Sequence, residues 1–359
     1  MKYIFYSVDS NCPQHVPKAV ISDHKSKSKR LLSIWILIVS IFLSGTSTVL
    51  AREAEDRLDT KSKQGKLHLI ELWAEKIPAG IEGGNDLFAY RMASHVIKKR
   101  NNETDITSRY SMQPTIPGPT IIIDEGDEVR LTLKHVFDPG NSATLEQVSV
   151  HVHGVHYDIH SDGTIEYINL VADESATPTM SYTYHWVAAP GTAGTWPYHD
   201  HNMITLNGAE DRGLYGAVIV NDKKSKILAL NKAGKLQRVP LSRIQKEYVL
   251  FIGDDAFWGT EINNKNRRHT PLWENPTLLA QEKSFVRFHL IALGNNTHNF
   301  KLNHYEWTDP GTNLVISEKI IGPLEKHVFV VQARGDSQYW DDTFIGNSLN
   351  MKGDFNVIP

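Results

Sequence analysis

The sequence almost lacks cysteine: Cys12 is the single cysteine among 359 residues. Everything after it can therefore form no internal disulfide and has no thiolate to serve as a nucleophile or a metal ligand. A phosphate-binding glycine loop, a dinucleotide-binding glycine run and a nucleophile elbow are also absent, so the sequence gives no sign of the enzyme classes that use them. Helical periodicity is weak along the whole chain.

Long hydrophobic runs are also scarce, and one stretch alone is long enough to be a signal sequence or a membrane anchor. Residues 31–51 carry no charge, follow a basic segment and end in small residues, with Val49 and Ala51 placed as at a signal-peptidase site. This pattern predicts a secretory signal over residues 1–51. The alternative is an uncleaved anchor, because the run approaches the ~20 residues needed to cross a bilayer. Either way we expect a secreted or cell-envelope protein that touches a membrane only through this segment.

Charge of one sign is not in strong excess, but the balance shifts once the predicted signal is removed. The remainder holds 32 basic and 39 acidic side chains, a net charge of −7, and keeps 15 of the 17 histidines. An acidic chain of this kind is a poor candidate for nucleic-acid binding.

The rest of the sequence predicts an all-β protein with two domains. Short β-branched and aromatic runs separated by turn residues are typical of Greek-key sandwiches or barrels. We expect a polar linker over residues 52–66, a first domain over 67–222, a connector over 223–244 and a second domain over 245–359. The two domains share an order of strands and turns, although they do not share a tight repeat of identical residues.

Two His-x-His pairs stand out in the first domain. His151 and His153 lie in one strand-like run, and His199 and His201 lie in another. Residues two apart on a strand face the same side, so two neighbouring strands would bring four imidazoles together. Imidazole suits copper, zinc, iron and nickel, and the absence of thiolates favours copper. The alternative is that these histidines have only structural roles. No catalytic residue and no organic cofactor site is assigned.

Four ordered motifs resemble the first cupredoxin domain of a multicopper oxidase, in the ceruloplasmin-like and two-domain branches. They are the segment from Pro117, the HVHG motif from His151, the GTWPYHDH motif from Gly194, and GLYGAVIV from Gly213. The resemblance implies a plastocyanin-like fold and one or two copper ions. It also implies that His151 is a type 2 copper ligand and that the other three histidines bind a type 3 copper pair.

The second domain resembles the same family with its copper motifs degraded. His298 matches the first histidine of the family's H-x-x-H-x-H run, but Lys301 and Asn303 occupy the next two ligand positions. Trp340, Asp341 and Asp342 stand in place of His-Cys-His, and Gly346 in place of a further histidine. Met351 survives from a terminal M-x-G motif. A blue copper site needs a cysteine thiolate, so we expect none here; whether His298, His304 or Met351 binds metal stays open, with Asp341 and Asp342 expected at the surface and Met351 in the core.

These observations favour an exported copper-dependent oxidoreductase with a copper site made only of histidines and no blue copper. Dioxygen or a small reductant would be its substrate. The resemblance also implies assembly as a homotrimer or reliance on a separate electron-transfer partner. Two alternatives remain: a non-catalytic copper carrier, sensor or scaffold, and a metal-free β-sandwich module.

Overall fold

The computed structural model describes residues 65–77, 87–136, 147–164, 168, 180–201, 213–231 and 233–359. All of them belong to one compact unit. The predicted signal or anchor over 1–51 and most of the predicted linker over 52–66 lie outside these ranges. Among the described residues, no helix combines the length and the apolar character needed to cross a membrane.

The first half is a two-sheet sandwich. One sheet has the order β3-β2-β1-β5-β7 and the other the order β4-β9-β8-β6. Its core contains large apolar side chains from both sheets, including Leu72, Leu131, Tyr198 and Val218. The strands are β1 (Leu67–Ile77), β2 (Leu87–Lys99), β3 (Asn102–Asp105), β4 (Ile121–Asp124), β5 (Glu128–His135), β6 (His151–Val152), β7 (Ser181–Val187), β8 (Gly194–His199) and β9 (Tyr215–Asn221).

The second half is another sandwich, with sheet orders β11-β10-β21-β16-β12-β13-β14 and β15-β23-β22-β17-β20 and a small β18-β19 pair. Its one α-helix, α1 (Phe344–Ser348), follows β22. The strands are β10 (Lys226–Leu230), β11 (Leu236–Pro240), β12 (Ile244–Ile252), β13 (Phe257–Asn263), β14 (Arg268–Leu272), β15 (Leu278–Gln281), β16 (Phe285–Ala292), β17 (His298–Leu302), β18 (Trp307–Thr308), β19 (Val315–Ile316), β20 (Glu318–Ile321), β21 (Lys326–Gln332), β22 (Ser337–Asp341) and β23 (Lys352–Ile358). The all-β prediction is confirmed.

The two halves repeat one strand plan. In the first half, β1 pairs with β2 antiparallel and with β5 parallel, and β4 pairs with β9 parallel. In the second half, β12 pairs with β13 antiparallel and with β16 parallel, and β15 pairs with β23 parallel. The shared order of strands and turns seen in the sequence is thus a shared topology.

A tyrosine fixes the same point of this plan in each half. The Tyr198 hydroxyl donates to the Pro119 carbonyl oxygen at 2.7 Å, and the Tyr339 hydroxyl donates to the Pro276 carbonyl oxygen at 2.5 Å. Tyr198 pairs with a glycine of β9, and Tyr339 pairs with a glycine of β23. In both cases a Cβ atom on that glycine would lie within 2.4 Å of the ring or hydroxyl, so only glycine leaves space for the phenol.

An apolar layer joins the halves. Ala217 and Ile219 of β9 cluster with Val249 and Phe251 of β12 and with Ile291 of β16. Their contact continues into a buried polar chain, in which the Thr195 hydroxyl donates to His289 Nδ1 at 2.5 Å and His289 Nε2 donates to Glu247 at 2.8 Å. The halves therefore form one continuous hydrophobic and hydrogen-bonded unit.

The segment 223–244 differs from the expected connector. It contains the antiparallel hairpin β10-β11, which joins the large sheet of the second half through a pairing of Leu230 with Val331. Ala229 and Val239 of the hairpin are fully buried in a small apolar cluster with Phe285. Ile227, Ala229 and Val239 lie on one face of the hairpin and pack with Phe285, and the surrounding lysines and arginines mask this apolar face in the sequence.

Buried histidines make the stability of this fold depend on pH. Burial lowers the pKa of His289 and His327 to about 4 and that of His95 to about 2. These rings stay neutral in the folded chain at pH values where the unfolded chain, with an ordinary histidine pKa near ~6.5, takes up protons. The unfolded state then binds more protons, so stability falls as the pH drops from about 6.5 towards about 4.

We expect the unfolding free energy of chelator-treated protein, measured by urea titration, to fall between about pH 7 and pH 5. His327→Gln keeps an acceptor for the Trp307 indole, which donates to His327 at 2.9 Å, and should reduce the fall by up to about 2 kcal/mol. The matched control is His185→Gln, at an exposed position on β7, and it should not alter the fall. Equal effects of the two substitutions would contradict the assignment.

Candidate metal centre

The four predicted histidines lie at the edge of the first sandwich, where β6 pairs with β8. His151 is directly opposite His199 in the antiparallel register. The ring centroid of His151 lies 4.8 Å from that of His153, 5.5 Å from that of His199 and 5.1 Å from that of His201. The predicted convergence of two His-x-His pairs is therefore present in the structure.

Three of the four are close enough to share one metal ion. Each of His151, His153 and His199 offers a ring nitrogen within 4.8 Å of the other two. The Nε2 atoms of His153 and His199 face each other at 3.1 Å. His201 lies beside this trio, its ring centroid 5.9 Å from that of His199.

Hydrogen bonds to the far side of two rings set their orientation. His151 Nδ1 donates to the Asp162 carbonyl oxygen at 2.7 Å and lies 2.8 Å from a carboxylate oxygen of the same residue. His199 Nδ1 donates to the Asp200 carbonyl oxygen at 2.9 Å. In each ring the Nε2 atom is left as the ligand, which is the usual arrangement around metal-binding imidazoles.

Electrostatics keep His153 and His199 in the form that binds a metal. Burial, with help from the neighbouring His151 and Lys326, lowers the pKa of His153 to about 4. Burial also lowers the pKa of His199 to about 4. Both rings are therefore neutral at neutral pH, as a metal ligand must be.

The glycine of the HVHG motif has a packing role. Gly154 has a φ of +72°, and a Cβ there would lie 1.9 Å from the Trp196 ring. Trp196 thus packs directly against the backbone that follows His153. On the same indole, the Lys326 ammonium lies 3.4 Å from the ring centroid.

Lys326 lies beside the histidine site, a position that the sequence alone does not predict. It belongs to β21 of the second half, 173 positions after His153 in the sequence, and no motif connects it to the histidines. His156, His160 and His185 are exposed and lie outside the trio.

The second half carries different residues at the corresponding positions. The pairings of Val152 with Tyr198 and of Leu302 with Tyr339 set the correspondence between the halves. It places Lys301, Asn303, Trp340 and Asp342 where the first half has His151, His153, His199 and His201. There the Lys301 ammonium bonds Asp342 at 2.6 Å, so an ion pair replaces the imidazoles.

The second-half residues at the positions of the family's blue copper site lie close together, but hydrogen bonds and tight packing join them. His298 Nδ1 donates to Asp341 Oδ2 at 2.9 Å. A Cβ at Gly346 would lie 2.3 Å from that same oxygen, and the amide of the buried Met351 donates to the Gly346 carbonyl oxygen.

The expectation that Asp341 lies at the surface is wrong. Its side chain accepts hydrogen bonds from His298 and the Asn299 amide, and the residue is 1% exposed. His304 is exposed.

Comparison with known proteins finds relatives of the part of the chain that carries the histidines. Residues 98–225 match the family model described as multicopper oxidase, and this span contains all four histidines. The chain is 29% identical over 229 residues to a probable nitrite reductase-hydroxylamine oxidoreductase fusion protein of Kuenenia stuttgartiensis, a match that covers 60% of this chain and 24% of that protein. It is 31% identical over 112 residues to a laccase of Aspergillus fumigatus, covering 31% of this chain and 16% of the laccase.

Solved structures show the same fold. A blue copper oxidase from Nitrosomonas europaea has a TM-score of 0.50 at 16% identity, covering 80% of this chain and 85% of that one. A copper nitrite reductase from the same organism has a TM-score of 0.50 at 15% identity, covering 81% and 94%. The multicopper oxidase resemblance and the cupredoxin fold predicted from the sequence are confirmed. The chain spans about a quarter or less of the length of the two curated relatives.

We expect copper binding to depend on the trio. His153→Ala and His199→Ala, separately and together, should leave the copper content per chain, measured by elemental analysis after loading and desalting, well below that of the unaltered protein. His185→Ala is the matched control, because its ring lies outside the trio. Circular dichroism and thermal melting check that the variants fold. Full copper content in the double variant would contradict the site.

Proposed function

We propose that the chain is a copper-dependent oxidoreductase whose metal site is the trio His151, His153 and His199, with His201 at its edge. The observation that carries this proposal is the convergence of three imidazole nitrogens within 4.8 Å inside the span that matches the multicopper oxidase model. Three imidazole nitrogen donors with no thiolate suit copper. Copper, when bound, supplies one-electron transfer at a coordination position left open to a small substrate.

The residues of the chain have three tasks in this proposal. The Asp162 and Asp200 carbonyl groups hold two imidazoles with Nε2 directed at the metal position. Trp196 and Gly154 fix the wall next to His153. Lys326 places a positive charge beside that wall, where its influence reaches His153.

Electrons would reach the site from outside the chain. A blue copper centre needs a thiolate, and no cysteine follows Cys12 in the sequence. The corresponding positions of the second half hold Lys301 and Asp342, so a second copy of this chain would not supply histidines from there. A separate electron-transfer protein or a small reductant is therefore part of the proposal.

The substrate we propose is a small molecule, and Lys326 favours an anion such as nitrite over dioxygen. The fusion protein of Kuenenia stuttgartiensis carries nitrite reductase in its name, which agrees with this choice. Reduction of nitrite consumes one electron and two protons and yields nitric oxide and water. The external donor supplies the electron, and solvent supplies the protons.

The alternative is a non-catalytic copper carrier, sensor or scaffold in the cell envelope. The ion pair of Lys301 and Asp342 in place of a second set of ligands favours it. Export through the N-terminal segment, as a cleaved signal or as an anchor, belongs to both proposals.

Copper loading followed by turnover separates the two proposals. We expect copper without an intense blue absorption, an EPR signal typical of nitrogen ligation, and nitrite or dioxygen consumption with an artificial reductant. The His153→Ala, His199→Ala double variant should lose all of these signals. Bound copper without turnover would identify a carrier, and no bound copper would refute the copper site in both proposals.

The role of Lys326 has its own test. Lys326→Met keeps the length and apolar contact of the side chain but removes its charge, so azide should bind the copper-loaded protein about fivefold more weakly, equal to about 1 kcal/mol. Lys352→Met on β23 removes an exposed lysine elsewhere and should leave azide affinity unchanged. Spectroscopic titration measures both. Equal affinities for azide in the two variants would remove Lys326 from the site.

A further inference from the structure

A second cavity, separate from the histidine site, opens between the two halves. It has a volume of about 1310 Å³, and the four histidines of the metal centre are not among its lining residues. Residues of the first half, such as Arg109 and Tyr110, line it together with residues of the second half, such as Arg267 and His269. The volume exceeds the ~300–1,000 Å³ of ordinary ligand pockets.

Most of the charged side chains that line this cleft are basic. Six are cationic, and the acidic ones are Asp124 and Glu247. Asp124 is already bonded to two of the lysines, at 2.6 and 2.7 Å, and Glu247 is bonded to Arg287 and His289 behind the wall. The cationic side chains are Lys66, Arg109, Lys223, Lys246, Lys265 and Arg267.

Two arginines remain without an acidic partner. Lys246 pairs with Glu261 at 2.9 Å, but no carboxylate among the described residues lies within ion-pair distance of Arg109 or Arg267. Both arginines line the same cleft, and burial together with electrostatic repulsion from Arg267 lowers the pKa of Arg109. A shared anion would relieve this repulsion, and guanidinium groups fit carboxylate and phosphate oxygens in pairs.

A rigid aromatic floor lies next to these arginines. The Tyr110 and His269 rings are 4.6 Å apart and both are 7% exposed. The Tyr110 hydroxyl is fixed by His95 Nδ1 at 2.8 Å, and His95 is fixed in turn by His68 at 2.8 Å. His269 Nδ1 is buried without a hydrogen-bond partner, which leaves one polar atom of the floor unsatisfied.

The lining also has an apolar component. Six isoleucines from both halves line the cleft, together with the two rings of the floor: Ile97, Ile106, Ile122, Ile244, Ile262 and Ile358. Apolar walls with a few converging polar groups are typical of sites for small organic molecules.

We propose that this cleft binds a small organic anion, whose carboxylate or phosphate group bonds Arg109 and Arg267 while its apolar part lies against Tyr110 and His269. The proposal does not depend on the copper site, because the two sites share no residue.

Isothermal titration of the full chain, in buffers matched for chloride, tests the proposal with two probes. Inorganic phosphate tests the phosphate arm, and benzoate tests the carboxylate arm with an apolar body. We expect saturable binding of at least one probe. Arg267→Gln and Arg109→Gln should each weaken it about tenfold, because each removes a charge-assisted hydrogen bond.

Arg268→Gln is the matched control. Arg268 is the next residue in the chain, is equally exposed and carries the same charge, but it does not line the cleft. Its substitution should change the affinity less than about twofold, because an exposed charge outside the cleft is screened by salt. Binding of neither probe would overturn the proposal, as would an equal loss in the Arg267→Gln and Arg268→Gln variants.

Discussion

A buried carboxylate next to the histidines holds the site together. Asp200, between His199 and His201, accepts the Ser149 amide at 2.8 Å and is fully buried. This bond fastens the segment that carries His151 and His153 to the end of β8, although β6 itself is only two residues long. Because a buried charge without such partners would be strongly destabilising, the carboxylate enforces the register, and the register brings the imidazoles together.

The second half uses the same device for a different purpose. Asp341 corresponds to Asp200 and accepts the Asn299 amide, also at 2.8 Å. Its other oxygen accepts a hydrogen bond from His298. This carboxylate is therefore bonded to a histidine of its own half. The hydrogen bond between carboxylate and backbone amide is therefore the same in both halves. Where the first half has imidazoles, the second half has hydrogen bonds and an ion pair.

Much of this was predictable from the sequence, because strand periodicity is local. The spacing of His151 and His153 predicts a common face, and the matched order of motifs predicts a repeated fold. Lys326 was not predictable, because its position over Trp196 depends on how β21 of one half packs near β8 of the other. The hairpin within 223–244 was not predicted for a similar reason, because its apolar side chains are buried only through contact with a neighbouring sheet. The presence of Arg109 and Arg267 on the lining of one cleft likewise depends on the packing of the two halves.

The second half supports the histidine site, although other residues stand at the positions that correspond to the four histidines. Thr195 lies four residues before His199 on β8, and its hydroxyl is bonded to His289, which is bonded to Glu247. Glu247 has a pKa lowered to about 2 despite its burial, because His289 and Arg287 stabilise its charge. Breaking one partner of such a buried set leaves an uncompensated charge and costs about 3–5 kcal/mol. The strand that carries His199 is thus held on one side by its own sheet and on the other by the second half, which also supplies Lys326. The second half therefore contributes to the shape and the charge of the histidine site.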